Sequence, residues 1–136
     1  MPDENVFELA DLLKNRALQT LSFIPALIDL GDYHAALNRS YYAAFYAMKA
    51  VEITDGYDSK KHSGVISYFR QNYVKPGYVP AELSNLIGRL EQYRELSDYN
   101  VTEKFDLSDA KEQYYNAKLF VEETVKYYDK KRLRSF

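Results

Sequence analysis

The sequence predicts an all-α fold: an up-and-down bundle of four long helices plus one short helix. Apolar residues recur at steps of three and four along nearly the whole chain, the spacing of one helix face. Only five glycines and four prolines interrupt the pattern. No internal repeat or low-complexity run divides the 136 residues, so they read as one domain, 1–136.

The first helix is predicted from about Glu4 to Leu30, with Ala10, Leu13, Ala17, Leu21, Ile24 and Ile28 as its stripe. Pro25 cannot donate to the Leu21 carbonyl, so a kink or break is expected there. Gly31 suits the helix end and Asp32 the N-cap of the second helix. That helix is predicted from about Tyr33 to Thr54. Leu37, Tyr41, Ala44, Met48 and Val51 form its apolar stripe, and Ala36, Ala43, Ala47 and Ala50 a small-residue face that lets a neighbour approach closely. Apolar on two sides, it reads as the central helix. Arg39, Tyr42, Tyr46 and Lys49 make a third stripe.

"TDGYDSKKHSG" reads as a loop with an Asp-Gly turn, leading into a short helix from about Lys61 to Asn72. A second loop, "YVKPGYVP", puts Pro80 at the first turn of a helix ending near Ser97. Leu83, Leu86, Ile87 and Leu90 are its buried positions. Ser108 reads as the N-cap of a last helix running to about Lys131, with Ala110, Tyr114, Ala117, Val121, Thr124 and Tyr128 inward. The basic end from about residue 130, "KKRLRSF", is expected to fray.

Bulk chemistry narrows the function classes. A net charge of -2 argues against a basic nucleic-acid-binding surface over the whole molecule, so any RNA contact needs a local patch. With no cysteine there is neither a disulfide framework nor a thiolate site, which fits a reducing cytoplasm. The acidic start "MPDENVFELA" is unlike a secretory signal, and no stretch has membrane-spanning length, so a cytoplasmic protein without a membrane partner is expected. The 14 tyrosines, with no tryptophan, suit packing between helices and at a subunit interface.

Some polar residues fall on unusual positions. One more step along Leu83, Ile87 and Leu90 lands on Arg94, and a charge in line with a core stripe needs a partner. Asp98 lies one turn later. Two readings fit: an intrahelical Arg94–Asp98 pair at a frayed helix end, or an arginine held in a groove to meet phosphate with its planar fork. Arg39 is either a surface arginine stacked on Tyr42 or Tyr46, or the second cation of the same groove. Facing one groove, the two arginines and the tyrosine rings would make a site for a nucleotide or a single-stranded RNA.

His34 and His62, the only histidines, each start a helix. Neither has a second histidine at ligand spacing, so no metal site is expected, and no cofactor. Lys60 and Lys61 add positive charge beside His62. Glycine-rich phosphate loops and nucleophile elbows are absent from the sequence.

"GDYHAALNRSYYAAFYAMKAV", "KKHSGVISYFRQNYVKPG" and "RELSDYN", in that order, resemble the HEPN superfamily, most closely its UPF0332-type branch, over about Leu18 to Tyr128. The resemblance implies a helical bundle, a homodimer, and a partnership with a minimal nucleotidyltransferase (MNT) as toxin and antitoxin. Active members are metal-independent endoribonucleases. Their site is an arginine followed a few residues later by a histidine, near the dimer interface.

Arg94 falls where that arginine belongs, but Asp98 and Tyr99 follow it, and no histidine comes after. The resemblance thus implies Arg94 as the phosphate-holding residue, with Asp98, Tyr99 or His62 assisting. Arg39, Tyr42 and Lys61 are the expected RNA- or nucleotide-binding residues. The alternative is a non-catalytic helical module that dimerises and binds the nucleotidyltransferase.

Overall fold

Three polar pairings set the helix directions. Lys14 meets Asp129 at 2.8 Å, which places the start of the first helix beside the end of the last. His34 and Ser97 join the start of the second helix to the end of the fourth. Arg89 and Glu112 join the fourth and fifth at 2.8 Å. In the computed structural model, which describes residues 4–100 and 102–134, the elements are α1 (Glu4–Asp29), α2 (Tyr33–Thr54), α3 (His62–Phe69), a π-helical turn (Arg70–Val74), α4 (Glu82–Tyr99) and α5 (Leu107–Arg134). The four long helices alternate in direction around the bundle.

α2 is central and packs against α1, α3, α4 and α5. Its alanine face is the reason: Ala36, Ala43, Ala47 and Ala50 are buried and let the neighbouring backbones come close. Phe7, Tyr41, Phe69, Phe120 and Tyr128 fill the remaining core volume with rings.

Local chemistry explains most boundaries. Gly31 adopts φ +77°, which a side chain would resist, and its N–H bonds the Ile28 carbonyl. Asp32 then caps α2 by accepting from the Ala35 N–H at 3.1 Å.

Several boundaries differ from expectation. α1 runs unbroken through Pro25, with Ile24 and Ile28 buried on either side. Packing of this stripe outweighs the single hydrogen bond that proline removes. α5 is capped by Asp106, not Ser108: the Asp106 carboxylate accepts from the Asp109 N–H and the Asp109 carboxylate from the Asp106 N–H. Pro80 lies just ahead of α4, in an i→i+3 turn closed by Leu83 N–H on the Pro80 carbonyl.

The third helix is regular only from His62 to Phe69 and then widens into the π turn, closed by Lys75 N–H on the Arg70 carbonyl at 2.9 Å. Within this turn Tyr73 is buried and its hydroxyl reaches Asp55 at 2.5 Å. The basic end does not fray before Arg134: Lys131 bridges to Asp55 at 2.6 Å and Arg132 to Asp11 at 3.0 Å. Ser135, Phe136 and the first three residues of the acidic start lie outside the described residues.

Candidate functional site

Arg94 ends the buried stripe of α4, after Leu83, Ile87 and Leu90, and is 7% exposed. Its guanidinium lies over the Tyr41 ring, 4.7 Å from the centroid. Its ionic partners are loose: Asp98 at 3.4 Å and Glu95 at 3.9 Å. The Nε atom is buried without a partner. Burial opposes the charge, but the Tyr99 hydroxyl, the Tyr41 and Tyr42 oxygens and Asp98 outweigh it and raise the pKa. The Arg94–Asp98 pair of the simpler reading is thus present, but with Arg94 buried instead of exposed at a frayed end. Arg94 is a nearly buried cation whose hydrogen-bonding capacity is incompletely used.

Asp98 links this cation to Arg39. Both Asp98 oxygens accept from Asn38 Nδ2 at 3.3 Å. Asn38 Oδ1 in turn accepts from Arg39 Nε and Nη2 at 3.0 and 2.8 Å. The Arg39 guanidinium also stacks over Tyr42, 5.0 Å from its ring centre. Asn38 was not singled out in the sequence, since nothing local distinguishes it from any helical asparagine.

An open cleft of about 520 Å³ adjoins this chain, lined by Phe23, Leu27, His34, Asn38, Arg39 and Asp98 among others. His34, at the start of α2, bonds across to the end of α4, with Nδ1 3.0 Å from Ser97 Oγ.

On the other side of Arg94 lies His62. Its Nδ1 is 3.0 Å from the Tyr41 hydroxyl, and its ring sits 4.5 Å from that of Phe45 and edge-on to Tyr42 at 5.6 Å. Burial lowers its pKa, and Arg94 and Lys49 lower it further. The cations that matter are thus tertiary neighbours, not Lys60 and Lys61. Tyr41, read from the sequence as an apolar core position, is fully buried but contacts both Arg94 and His62.

Of the residues expected at the site, Arg94, Asp98, Arg39, Tyr42 and His62 share one neighbourhood. Tyr99 is close to Arg94 but 77% exposed. Lys61 is exposed at the α3 N-cap and forms no ion pair among the described residues. Also among those residues, no group of three or more His, Asp or Glu side chains is arranged to hold a metal ion, and no helix is long and apolar enough to cross a membrane.

The arrangement is suited to binding an anion. The Arg94 guanidinium and the His62 imidazole both lie against Tyr41, and Asn38 and Asp98 link Arg94 to the Arg39 guanidinium, with aromatic faces between them.

Comparison with known proteins agrees with this architecture. The HEPN domain model matches residues 10–128. A UPF0332 protein of Thermotoga maritima is 30% identical over 115 residues, covering 85% of this chain and 87% of its own length. A Methanocaldococcus jannaschii protein named "Putative toxin MJ0142" is 31% identical over 120 residues, covering 88% of this chain and 81% of its own. With an all-α bundle, an arginine closing the α4 stripe and a domain match across most of its length, the chain belongs to the HEPN domain family.

Proposed function

We propose that this chain is the HEPN component of a toxin–antitoxin-like MNT–HEPN pair and that it binds RNA or a nucleotide between Arg94 and Arg39. It acts there as a metal-independent endoribonuclease. The observation that carries this reading is Arg94: nearly buried, weakly paired and set between Asp98 and His62. The toxin name of the Methanocaldococcus jannaschii relative supports the toxin–antitoxin part of this reading.

In the reaction, the ribose 2′-oxygen attacks the adjacent phosphorus and the bond to the 5′-oxygen breaks. A 2′,3′-cyclic phosphate and a 5′-hydroxyl result, with one proton leaving the 2′-hydroxyl and one reaching the departing oxygen. Arg94 stabilises the charge on the phosphate. Asp98 and Tyr99 are the adjacent groups for proton transfer, and the cleft by Arg39 receives a flanking nucleotide.

The test is cleavage of labelled mixed RNA in EDTA by wild type and Arg94→Ala. Cleavage by wild type alone is expected. An intact transcript after long incubation with wild type overturns the nuclease reading.

One observation favours a second reading, a non-catalytic module that dimerises and binds the nucleotidyltransferase. Leu12 and Phe23 on α1 and Leu30 in the turn after it are 66%, 58% and 81% exposed, more apolar surface than a lone helix face needs. Stable co-purification with that enzyme, without cleavage, is its expected result.

A further inference from the structure

Within the proposed anion site, the roles of His62 and Tyr41 can be argued one step further. Tyr41 is fully buried, and among the described residues its hydroxyl has a single hydrogen-bond partner, His62 Nδ1 at 3.0 Å. Burial also pushes its pKa up, so the hydroxyl keeps its proton. A buried phenol O–H must donate, and Nδ1 is the acceptor within reach. The imidazole proton is then on Nε2. Arg94 and Lys49 oppose a second proton on the ring. Rings fix the imidazole from three sides: Tyr41 stacks at 5.6 Å, Phe45 lies at 4.5 Å and Tyr42 is edge-on at 5.6 Å. The Tyr41 ring also carries the Arg94 guanidinium at 4.7 Å, so one side chain orients both cation and imidazole.

We propose that Tyr41 is the positioning residue of this site: it fixes His62 with its proton on Nε2, so that His62 and Arg94 together form a two-donor clamp for a phosphate group. His62 is then a hydrogen-bond donor to the phosphoryl oxygens and not the general base that the missing histidine would have supplied. An imidazole whose Nδ1 lone pair is taken by Tyr41 and whose Nε2 carries hydrogen has no free lone pair to accept a proton. The proposal rests on the anion-binding reading above, but its first readout needs no ligand.

The experiment is long-range ¹H–¹⁵N correlation of the imidazole groups in the full chain. His34→Gln assigns the two histidines, and adenosine 5′-monophosphate is the phosphate probe. Wild-type His62 at pH 7.5 is expected as the Nε2–H tautomer. In Tyr41→Phe, which keeps the ring beneath Arg94, both tautomers are expected and the His62 pKa rises.

Adenosine monophosphate should shift the wild-type Nε2 resonance, and Tyr41→Phe should weaken that binding about 3- to 10-fold, the range for one lost hydrogen bond. His62→Gln, which retains an N–H donor, should bind more tightly than His62→Ala. An Nδ1–H tautomer in wild type, or an unchanged tautomer in Tyr41→Phe, overturns the proposal. So does a His62 signal indifferent to the nucleotide. A clamp that responds to the nucleotide in a protein that leaves RNA intact supports this proposal and removes only the nuclease reading.

Discussion

The Arg94 guanidinium lies 4.7 Å from the centre of the Tyr41 ring, where it is largely removed from water. A desolvated cation on an aromatic face is worth roughly 1–2 kcal/mol, more than the loose bond to Asp98 at 3.4 Å can supply. The ring is thus a main reason that a charge is tolerated on the core stripe. Arg94→Lys keeps the charge but loses the planar stack and the fork. It should lower stability by about 1–2 kcal/mol in thermal or urea unfolding and weaken nucleotide binding about tenfold or more.

Arg39 and Arg16 test whether the site continues along α2. Arg39 stacks on Tyr42 and Arg16 on Tyr46, at 5.0 and 5.2 Å, and neither forms an ion pair among the described residues. Each Ala variant should change stability by no more than about 1 kcal/mol. If a strand follows this stripe, each should weaken RNA binding at 50 mM salt while reducing the salt slope of log K by about one. Unchanged slopes in both would confine the site to Arg94.

Glu52 sets an alkaline limit on stability. It is 1% exposed with Oε2 unpartnered, and burial raises its pKa to about 9, with Lys49 partly offsetting. The folded state therefore holds a proton that the unfolded chain releases above its ordinary carboxylate pKa. Between about pH 4.5 and 9 the native state binds more protons, so stability falls as pH rises. Glu52→Leu should flatten this slope and raise the melting temperature at pH 8 relative to pH 5.

Asp55 joins three parts of the bundle. It follows α2, accepts from the Tyr73 hydroxyl of the π turn and pairs with Lys131 of α5 at 2.6 Å. Asp55→Ala leaves a buried phenol and a cation without that acceptor. A loss of about 2 kcal/mol is expected, with faster amide exchange over the last turns of α5.

Gly64 sits under the loop that precedes α3. A Cβ there would lie 2.6 Å from Ser59 Oγ and 2.9 Å from the Tyr57 hydroxyl. Ser59 Oγ accepts from the Lys61 N–H at 3.1 Å, so it cannot move freely. Gly64→Ala should cost about 1–2 kcal/mol. The penalty should shrink in a Ser59→Gly background, measured by a double-mutant cycle.

The helices, most of their buried positions and the position of Arg94 were legible because each follows from spacing within one segment, whereas Leu13, Leu86 and Tyr114, expected inward, are only partly buried. Leu83, Ile87, Leu90 and Arg94 are successive steps on one face, and all are buried. The boundaries that failed depended on more than spacing. Asp106 outcompeted Ser108 because Asp109 could return its hydrogen bond. The π turn inserts an irregular step that no fixed period describes, and its payoff is the distant Asp55. The basic end stayed helical through partners on α1 and after α2.

By itself, then, the sequence determined an all-α bundle with an arginine closing its fourth helix, since hydrophobic period and turn chemistry are local properties of the chain. Only the tertiary structure decided that His62 and Arg94, from separate helices, meet across Tyr41, and that Asn38 and Asp98 tie Arg39 to the same place. Such meetings depend on which helix faces pack together, and a residue's own neighbours in sequence carry no record of that choice.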